Sequence, residues 1–216
     1  MDLGIIIPLF ATPVVKVNIN RSFTESEMQC IADIPLEKKN KYGKILSSHR
    51  SENYDLFEVS PNLKDIKSFC ELQLKQYMEH IEGADIDKVM LRITQSWLHN
   101  TKPGESQHSH THPNSHLAGV LYISCLPNDH INFENRLYGM FNNLQFPTKK
   151  STPWNANIMY KKIDVEEGDL ILFPSWMVHS VDVNDTEDKE RISLAFNTFP
   201  IGEMGYNNNI THLFLQ

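Results

Sequence analysis

Seven short strand-like runs between residues 88 and 199 constrain the fold of this chain most strongly. The runs are rich in β-branched and other apolar residues, and turn-forming Gly, Pro, Asn and Asp residues separate them. They lie at residues 88–98, 117–124, 131–133, 158–160, 169–173, 178–183 and 191–199. This rhythm predicts a mainly β fold of the sandwich or jelly-roll type.

The first third of the chain predicts supporting elements. Residues 9–19 have β-branched, partly alternating character and predict a strand. Thr24 with Glu27 forms a capping-box pattern and predicts a short helix. Residues 37–52 lack sustained periodicity and predict a loop. Ser60-Pro61 predicts the start of a helix of about 20 residues, whose broad apolar face would pack across a sheet.

Length and composition predict one soluble globular domain over residues 1–216. Within it we expect an N-terminal strand and support helices (1–87), a jelly-roll core (88–200) and a C-terminal tail (201–216). Apolar residues make up 40% of the chain and charged residues 22%, and no run is long enough to cross a membrane. The formal charge of -7 disfavours a nucleic-acid partner.

The cysteines and the N-terminus predict a cytoplasmic protein. Cys30, Cys70 and Cys125 are odd in number and widely spaced, which is typical of buried reduced thiols rather than of a disulfide framework or a cysteine zinc site. The apolar start of the chain lacks a basic segment and is interrupted by Pro8 and Pro13, so it is a poor signal peptide.

Histidines alternate at His108, His110 and His112. In an extended chain, residues two apart share a face, so their imidazoles can converge on one metal ion. His179 stands at the start of a later strand-like run, after a tight turn. Two ligands from one strand and a third from a distant strand leave coordination positions open, as an oxygen-activating iron site requires. Further along, the guanidinium of Arg191 could bind a carboxylate, helped by a nearby hydroxyl.

The motifs together resemble the Fe(II)- and 2-oxoglutarate-dependent oxygenases, which have a double-stranded β-helix, and more closely a bacterial and phage branch of that superfamily. The resemblance covers about residues 95–197, roughly half of the chain, with a further match at Leu9-Phe10-x-Thr-Pro13. Its pieces are Trp97 with Asn100, His110-x-His112-Pro-Asn-Ser, Gly119-Val-x-Tyr122, the segment from Gly168 to His179 that contains Phe-Pro-Ser-Trp176, and Arg191-Ile-Ser193-x-x-Phe-Asn197. The combination is specific, although no single piece is.

The resemblance implies Fe(II) as cofactor, 2-oxoglutarate and O2 as co-substrates, and oxidation of a prime substrate, usually hydroxylation, with release of succinate and CO2. It implies His110 and His179 as iron ligands, Arg191 with Ser193 as the clamp on the distal carboxylate of 2-oxoglutarate, and Tyr122 as a lining residue. Further candidates for the pocket are Trp97, Asn100, Trp176 and Asn197.

The third iron ligand departs from the superfamily pattern, which has Asp or Glu two residues after the first histidine. The favoured set is His110, His112 and His179. In one alternative His112 only supports the ligands, and a carboxylate such as Glu134 or Asp129 completes the set. In another, His108 and His110 form the pair. Arg191 could also pair with an acidic neighbour in residues 185–190.

Two other classes of protein would fit the same motifs. A cupin-like three-histidine metalloenzyme that does not use 2-oxoglutarate and a metal-binding jelly-roll module without activity are the alternatives, and Arg191-Ile-Ser193 favours the oxygenase. Residues 135–157, with Trp154, would form either a lid or an insertion packed by its own aromatic residues. The prime substrate is not readable, and a homodimer is compatible with the fold.

Overall fold

The structure, a computed structural model, describes residues 11–39, 45–136, 147, 159–205 and 210–216. The strands of these residues are β1 (Val15–Asn18), β2 (Leu36–Lys39), β3 (Ile45–Ser51), β4 (Val89–Thr101), β5 (Gln107–His110), β6 (Leu117–Ser124), β7 (His130–Glu134), β8 (Tyr160–Asp164), β9 (Asp169–Pro174), β10 (His179–Val181), β11 (Arg191–Met204) and β12 (Leu213–Leu215). The helices are α1 (Glu25–Ala32), α2 (Leu56–Val59) and α3 (Lys64–His80), with a 3₁₀ turn at Pro61–Leu63.

Two antiparallel sheets face each other. The large sheet has the order β1-β9-β6-β11-β4-β3-β2, with β12 also paired to β11, and the small sheet has the order β5-β10-β7-β8. Strands that are adjacent in each sheet are often far apart in sequence, which is typical of a jelly roll. The prediction of a mainly β double-stranded β-helix with helices packed on one sheet is confirmed.

Apolar side chains form a core on each face of the large sheet. On the outer face, α3 packs against the sheet through Ile66, Cys70 and Leu74, which belong to the same buried cluster as Leu98 and Leu121. The predicted packing of this helix across a sheet is therefore confirmed. Between the two sheets lies a second, smaller cluster, comprising Ala118, Tyr122, Ile131, Phe133, Val165, Ile171 and Phe173.

The capping box predicted at the start of α1 is present. The Glu27 N–H donates to Oγ1 of Thr24 (3.2 Å), and the Thr24 N–H donates to the Glu27 carboxylate (2.7 Å). The second predicted helix start is displaced. Ser60 makes no capping hydrogen bond through its side chain, Pro61 begins the 3₁₀ turn, and α3 itself begins at Lys64.

Other boundaries differ from the predictions. The prediction of a loop over residues 37–52 is wrong, because β2 and β3 form an antiparallel pair there and extend the edge of the large sheet. The predicted C-terminal tail contains the end of β11 and the whole of β12. The predicted first strand is shorter, since β1 begins at Val15, and residues 9 and 10 lie outside the described residues. Most of the 135–157 segment, including Trp154, also lies outside them.

Candidate active site

A small cavity of about 40 Å³ lies between the two sheets. Both sheets contribute to its wall, because every strand alternates its side chains between the two faces. The lining residues are Trp97, His99, Thr101, Gln107, His110, His112, Val120, Tyr122, Ile131, His179, Val181, Arg191, Ser193 and Ala195. The cavity therefore holds the histidines and the arginine that the sequence singled out.

Strand pairing brings the three predicted histidine ligands together. His110 on β5 and His179 on β10 are directly opposite each other in the small sheet. His112 lies two residues beyond His110, and its N–H donates to the Ser175 carbonyl (2.9 Å), which ties this segment to the turn after β9. The rings of His110 and His179 have centroids 4.3 Å apart, and those of His112 and His179 are 4.9 Å apart.

Each of these histidines has an acceptor at Nδ1. The acceptors are the His108 carbonyl for His110 (2.8 Å), the Met177 carbonyl for His179 (3.0 Å) and Oδ1 of Asn197 for His112 (2.6 Å). An acceptor at Nδ1 places the proton there and leaves Nε2 with a free lone pair, as metal ligation requires.

The potential ligand atoms of the three histidines all lie within 4.8 Å of one another. The two Nε2 atoms of His110 and His112 are 3.3 Å apart. Two nitrogens that each lie about 2.0–2.1 Å from one metal ion are separated by roughly 3.0–3.4 Å, so this spacing fits a shared ion. Within the residues that the structure describes, this is the one group of three or more His, Cys, Asp or Glu side chains with metal-binding geometry.

Burial keeps these imidazoles neutral. Burial, together with the neighbouring histidines, lowers the pKa of His112 to about 4 and that of His179 to about 2. The pKa of His110 is also lowered, mainly by burial. Neutral imidazole is the form that binds a metal ion, so the site is ready to bind one at neutral pH.

Arg191 lies across the cavity on β11 and makes a two-pronged ion pair with Asp129. Its Nε donates to Oδ2 of Asp129 (2.7 Å), and its Nη2 donates to Oδ1. The third nitrogen, Nη1, is buried and has no hydrogen-bond partner among the described residues. A buried donor without a partner is costly, so this atom is a candidate for binding an anionic ligand. The pairing of Arg191 with an acidic residue of 185–190, considered from the sequence, is not what the structure shows.

The alternation of β11 explains why its motif residues share the cavity. Arg191, Ser193 and Ala195 face inward, whereas Leu194 and Phe196 belong to the core under the helices. Asn197 continues the inward series and lies beneath His112. On β6, Tyr122 also faces the cavity and is almost completely buried, and burial raises the pKa of its hydroxyl.

Two of the predicted pocket residues lie elsewhere. Trp97 faces the cavity, but Asn100 is three residues further along β4 and so points to the opposite face, where its amide donates to Glu190 (2.6 Å). Trp176 lies in the turn between β9 and β10 and is 65% exposed. The prediction that Asn100 lines the pocket is therefore wrong. Trp176 also lies outside the cavity wall.

The alternative ligands suggested by the sequence do not join the histidines. Asp129 is engaged by Arg191, and Glu134 lies 4.0 Å from Arg136. Neither carboxylate belongs to the group with metal-binding geometry, and neither does His108, which is exposed.

The structure also places in the site residues that the sequence reasoning missed. His99 lines the cavity, and burial lowers its pKa to about 3. The sequence could have indicated His99, because it lies two residues after Trp97 on the same strand and therefore on the same face. Gln95 accepts from the Asn197 amide (2.9 Å), which orients that amide so that its oxygen faces His112. Nothing in the sequence indicates this contact.

Fold and site together define a jelly-roll protein with a candidate metal centre inside the sandwich and an arginine facing it. The family model described as "Putative 2OG-Fe(II) oxygenase" matches residues 95–197. The chain is similar to the 2OG-Fe(II) oxygenases over this segment, which is just under half of its length. No curated protein sequence matches it.

Solved structures of this superfamily share the fold. A 2OG-Fe(II) oxygenase family oxidoreductase from Burkholderia pseudomallei is 10% identical, with a TM-score of 0.56 and coverage of 86% of this chain and 84% of that one. HygX from Streptomyces hygroscopicus, solved with nickel, 2-oxoglutarate and hygromycin B, is 12% identical, with a TM-score of 0.57 and coverage of 87% and 82%. A Pseudomonas putida prolyl-4-hydroxylase is 13% identical, with a TM-score of 0.52 and coverage of 87% and 94%.

Proposed function

We propose that this protein is an Fe(II)- and 2-oxoglutarate-dependent dioxygenase that hydroxylates a prime substrate. One observation carries the proposal. The same cavity is lined by three histidines whose Nε2 atoms have free lone pairs and by an arginine with one buried nitrogen that has no partner among the described residues. This donor set suits a metal ion chelated by a keto acid whose far end is a carboxylate.

The side chains have distinct roles in this proposal. When bound, iron(II) would supply the oxygen chemistry that couples decarboxylation of 2-oxoglutarate, to succinate and CO2, with hydroxylation. His110, His112 and His179 would hold the ion. Nη1 of Arg191, with the hydroxyl of Ser193, would bind the distal carboxylate.

Apolar side chains around the histidines would keep water out of the reaction. The Trp97 ring lies 5.7 Å from the His112 ring, and the Phe173 ring lies 4.6 Å from the His179 ring. Tyr122, Val120 and Ile131 complete the wall nearby. A dry cavity strengthens the interaction between Arg191 and an anion.

The test is to add Fe(II) and then 2-oxoglutarate to the metal-free protein under anaerobic conditions. We expect a visible charge-transfer band that requires both additions. Arg191→Met should remove the response to 2-oxoglutarate and leave metal uptake largely intact. Absence of a band in the wild-type protein, together with much tighter binding of Zn(II) than of Fe(II), would favour the alternative of a three-histidine metalloprotein that does not use 2-oxoglutarate.

The setting of the enzyme is part of the proposal. Cys30, Cys70 and Cys125 are free thiols, which supports a reducing compartment such as the cytoplasm. Among the helices of the described residues, none is long and apolar enough to cross a membrane.

We also propose that residues 1–216 form one domain, since β1 and β3, from the first quarter of the chain, extend the large sheet of the core. We further propose that the protein can form a homodimer and that nucleic acid is not its partner.

A further inference from the structure

Asp129 has a role in the site that neither the motifs nor the histidine cluster assigns. Its carboxylate is completely buried and lies just before β7, whereas Arg191 lies on β11 in the other sheet. Asp129 is not among the residues that line the cavity, but Arg191 is. The carboxylate therefore contacts the guanidinium from outside the cavity wall.

Backbone amides hold this carboxylate in place. The Leu126 N–H donates to Oδ2 (3.1 Å), and the His130 N–H donates to Oδ1 (2.8 Å). Each oxygen thus accepts one backbone N–H and one guanidinium N–H. Because the turn fixes Asp129, the planar guanidinium has one orientation in which both of its bonds to Asp129 are made.

We propose that Asp129 is a positioning residue for the co-substrate: it holds Nε and Nη2 of Arg191 so that Nη1 is directed at the distal carboxylate of the keto acid. The inference rests on the proposed function, because it assumes that Arg191 contacts a keto acid. It accounts for the buried Nη1 atom, which has no other partner among the described residues.

The charges in the cavity agree with this role. Among the described residues that line the cavity, Arg191 is the only one that is charged when the histidines are neutral, and Asp129 balances it. This part of the lining therefore carries no net charge. A metal dication and a keto-acid dianion together add none, so the filled cavity remains neutral. Burial of unbalanced charge is strongly unfavourable, which gives the Asp129 carboxylate a second reason to be there.

The experiment measures keto-acid binding without turnover. Full-length protein loaded with Zn(II) is titrated calorimetrically with 2-oxoglutarate and with 2-oxopentanoate, which carries a methyl group in place of the distal carboxylate. In the Asp129→Asn variant an amide NH2 group replaces one carboxylate oxygen. This group faces N–H donors and cannot accept from them, so Arg191 loses its fixed orientation. We expect the Kd of 2-oxoglutarate to rise at least tenfold, while the Kd values of 2-oxopentanoate and of Zn(II) change less than twofold.

The alternatives give different results. If Asp129 only weakens the positive charge of Arg191, Asp129→Asn tightens 2-oxoglutarate binding, and an unchanged or tighter Kd overturns the inference. If the wild-type protein does not distinguish 2-oxoglutarate from 2-oxopentanoate, the clamp itself and the proposed function fail. Asp188→Asn, at an exposed position, is the matched control and should leave every Kd unchanged.

Arg191→Lys gives a second test that leaves Asp129 and its turn intact. A lysine has no planar fork, so it cannot be held at two nitrogens by Asp129 and also present a third. We expect this variant to bind 2-oxoglutarate no more tightly than 2-oxopentanoate. Wild-type affinity for 2-oxoglutarate in Arg191→Lys would show that the orientation imposed by Asp129 is irrelevant, and would overturn the inference independently.

Discussion

The amide of Asn197 connects Gln95 to a histidine of the candidate metal centre. Its Oδ1 accepts from His112, and its Nδ2 donates to Gln95, so the amide has only one orientation that satisfies both contacts. The two other histidines of the centre use backbone carbonyls at the same ring position. His112 is therefore the one member of the set whose tautomer depends on a side chain.

Asn197→Ala should weaken metal binding. Without an acceptor at Nδ1, the His112 ring loses its fixed tautomer and orientation, and loss of such a supporting contact typically costs about 10- to 100-fold in metal affinity. Competition titration with Zn(II) or Co(II) measures the change. Asn62→Ala, at an exposed position in the 3₁₀ turn, is the control. Equal metal affinity in the two variants would contradict the role of Asn197.

The buried histidines make the metal-free protein sensitive to acid. Because the pKa values of His112 and His179 are lowered to about 4 and about 2 in the folded protein, the unfolded chain takes up protons below about pH 6.5 that the folded protein does not. The free energy of unfolding should fall as the pH decreases from 6.5 towards 4, by at most about 1.4 kcal/mol per pH unit for each histidine.

Denaturant unfolding of the metal-free protein at several pH values measures this dependence. His179→Gln should show a shallower pH dependence between pH 6.5 and 4, because one titrating group is gone. His80→Gln, which changes a histidine that is 69% exposed, should leave the slope unchanged. Identical slopes in all three proteins would show that burial of His179 does not couple to folding.

At the scale of strands, the packing of a neighbouring aromatic ring explains why the motif at residues 119–122 begins with a glycine. A Cβ atom at this position of β6 would overlap the ring of Phe196 on the neighbouring strand β11. That ring is fully buried and packs against Phe57 of α2. A side chain at residue 119 would therefore disturb the contact between the large sheet and the helices.

Gly119→Ala should destabilise the protein by about 1–3 kcal/mol, the usual cost of overpacking a core. Chemical denaturation measures the loss. In a Phe196→Leu background the added methyl group has more room, so the same substitution should cost less, and a double-mutant cycle isolates the difference. Additive effects of the two substitutions would mean that the Phe196 ring is not what excludes a side chain at Gly119.

The strands of the core could be predicted from sequence because their signal is local. Apolar runs such as 117–124 and 169–173 are bounded by turn residues, and each becomes a strand within a few residues of the predicted limits. The pair β2 and β3 was missed because its sequence is polar and lysine- and serine-rich. Its place in the sheet depends on hydrogen bonds from tertiary neighbours, such as that from the Leu98 N–H to Oγ of Ser51 (3.0 Å).

The candidate site was partly predictable for the same reason. Alternation places His110 and His112, or Arg191 and Ser193, on one face of an extended chain, and the same parity indicates His99 and argues against Asn100. The pairing of Arg191 with Asp129 spans 62 residues and joins two sheets. Such a contact depends on strand order and register, which no local pattern specifies.

At the scale of the whole molecule, the candidate metal centre should contribute to stability, because its ligands converge only in the folded state. A metal ion present at about 100 times its Kd adds roughly 2.7 kcal/mol, which corresponds to a rise in Tm of about 5–10 °C for a protein of this size. Differential scanning fluorimetry with and without Zn(II) or Fe(II) measures the shift.

His110→Ala should abolish most of this stabilisation by metal, since it removes one ligand of the candidate set. The metal-free variant should unfold close to the metal-free wild-type protein, because His110 is less buried than its two partners. A metal-induced rise in Tm that survives in His110→Ala would place the ion elsewhere.

The two halves of the candidate site belong to different sheets. His110 and His179 lie on strands of the small sheet, whereas Arg191 and Ser193 lie on β11 of the large sheet. On the proposed assignment, a co-substrate that binds both halves must span the interior of the sandwich. Because packed sheets keep a nearly constant separation of about 10 Å, the thickness of the sandwich would act as a length selector. A dicarboxylate shorter than 2-oxoglutarate would then contact one sheet at a time, and a longer one would have to bend or push the sheets apart.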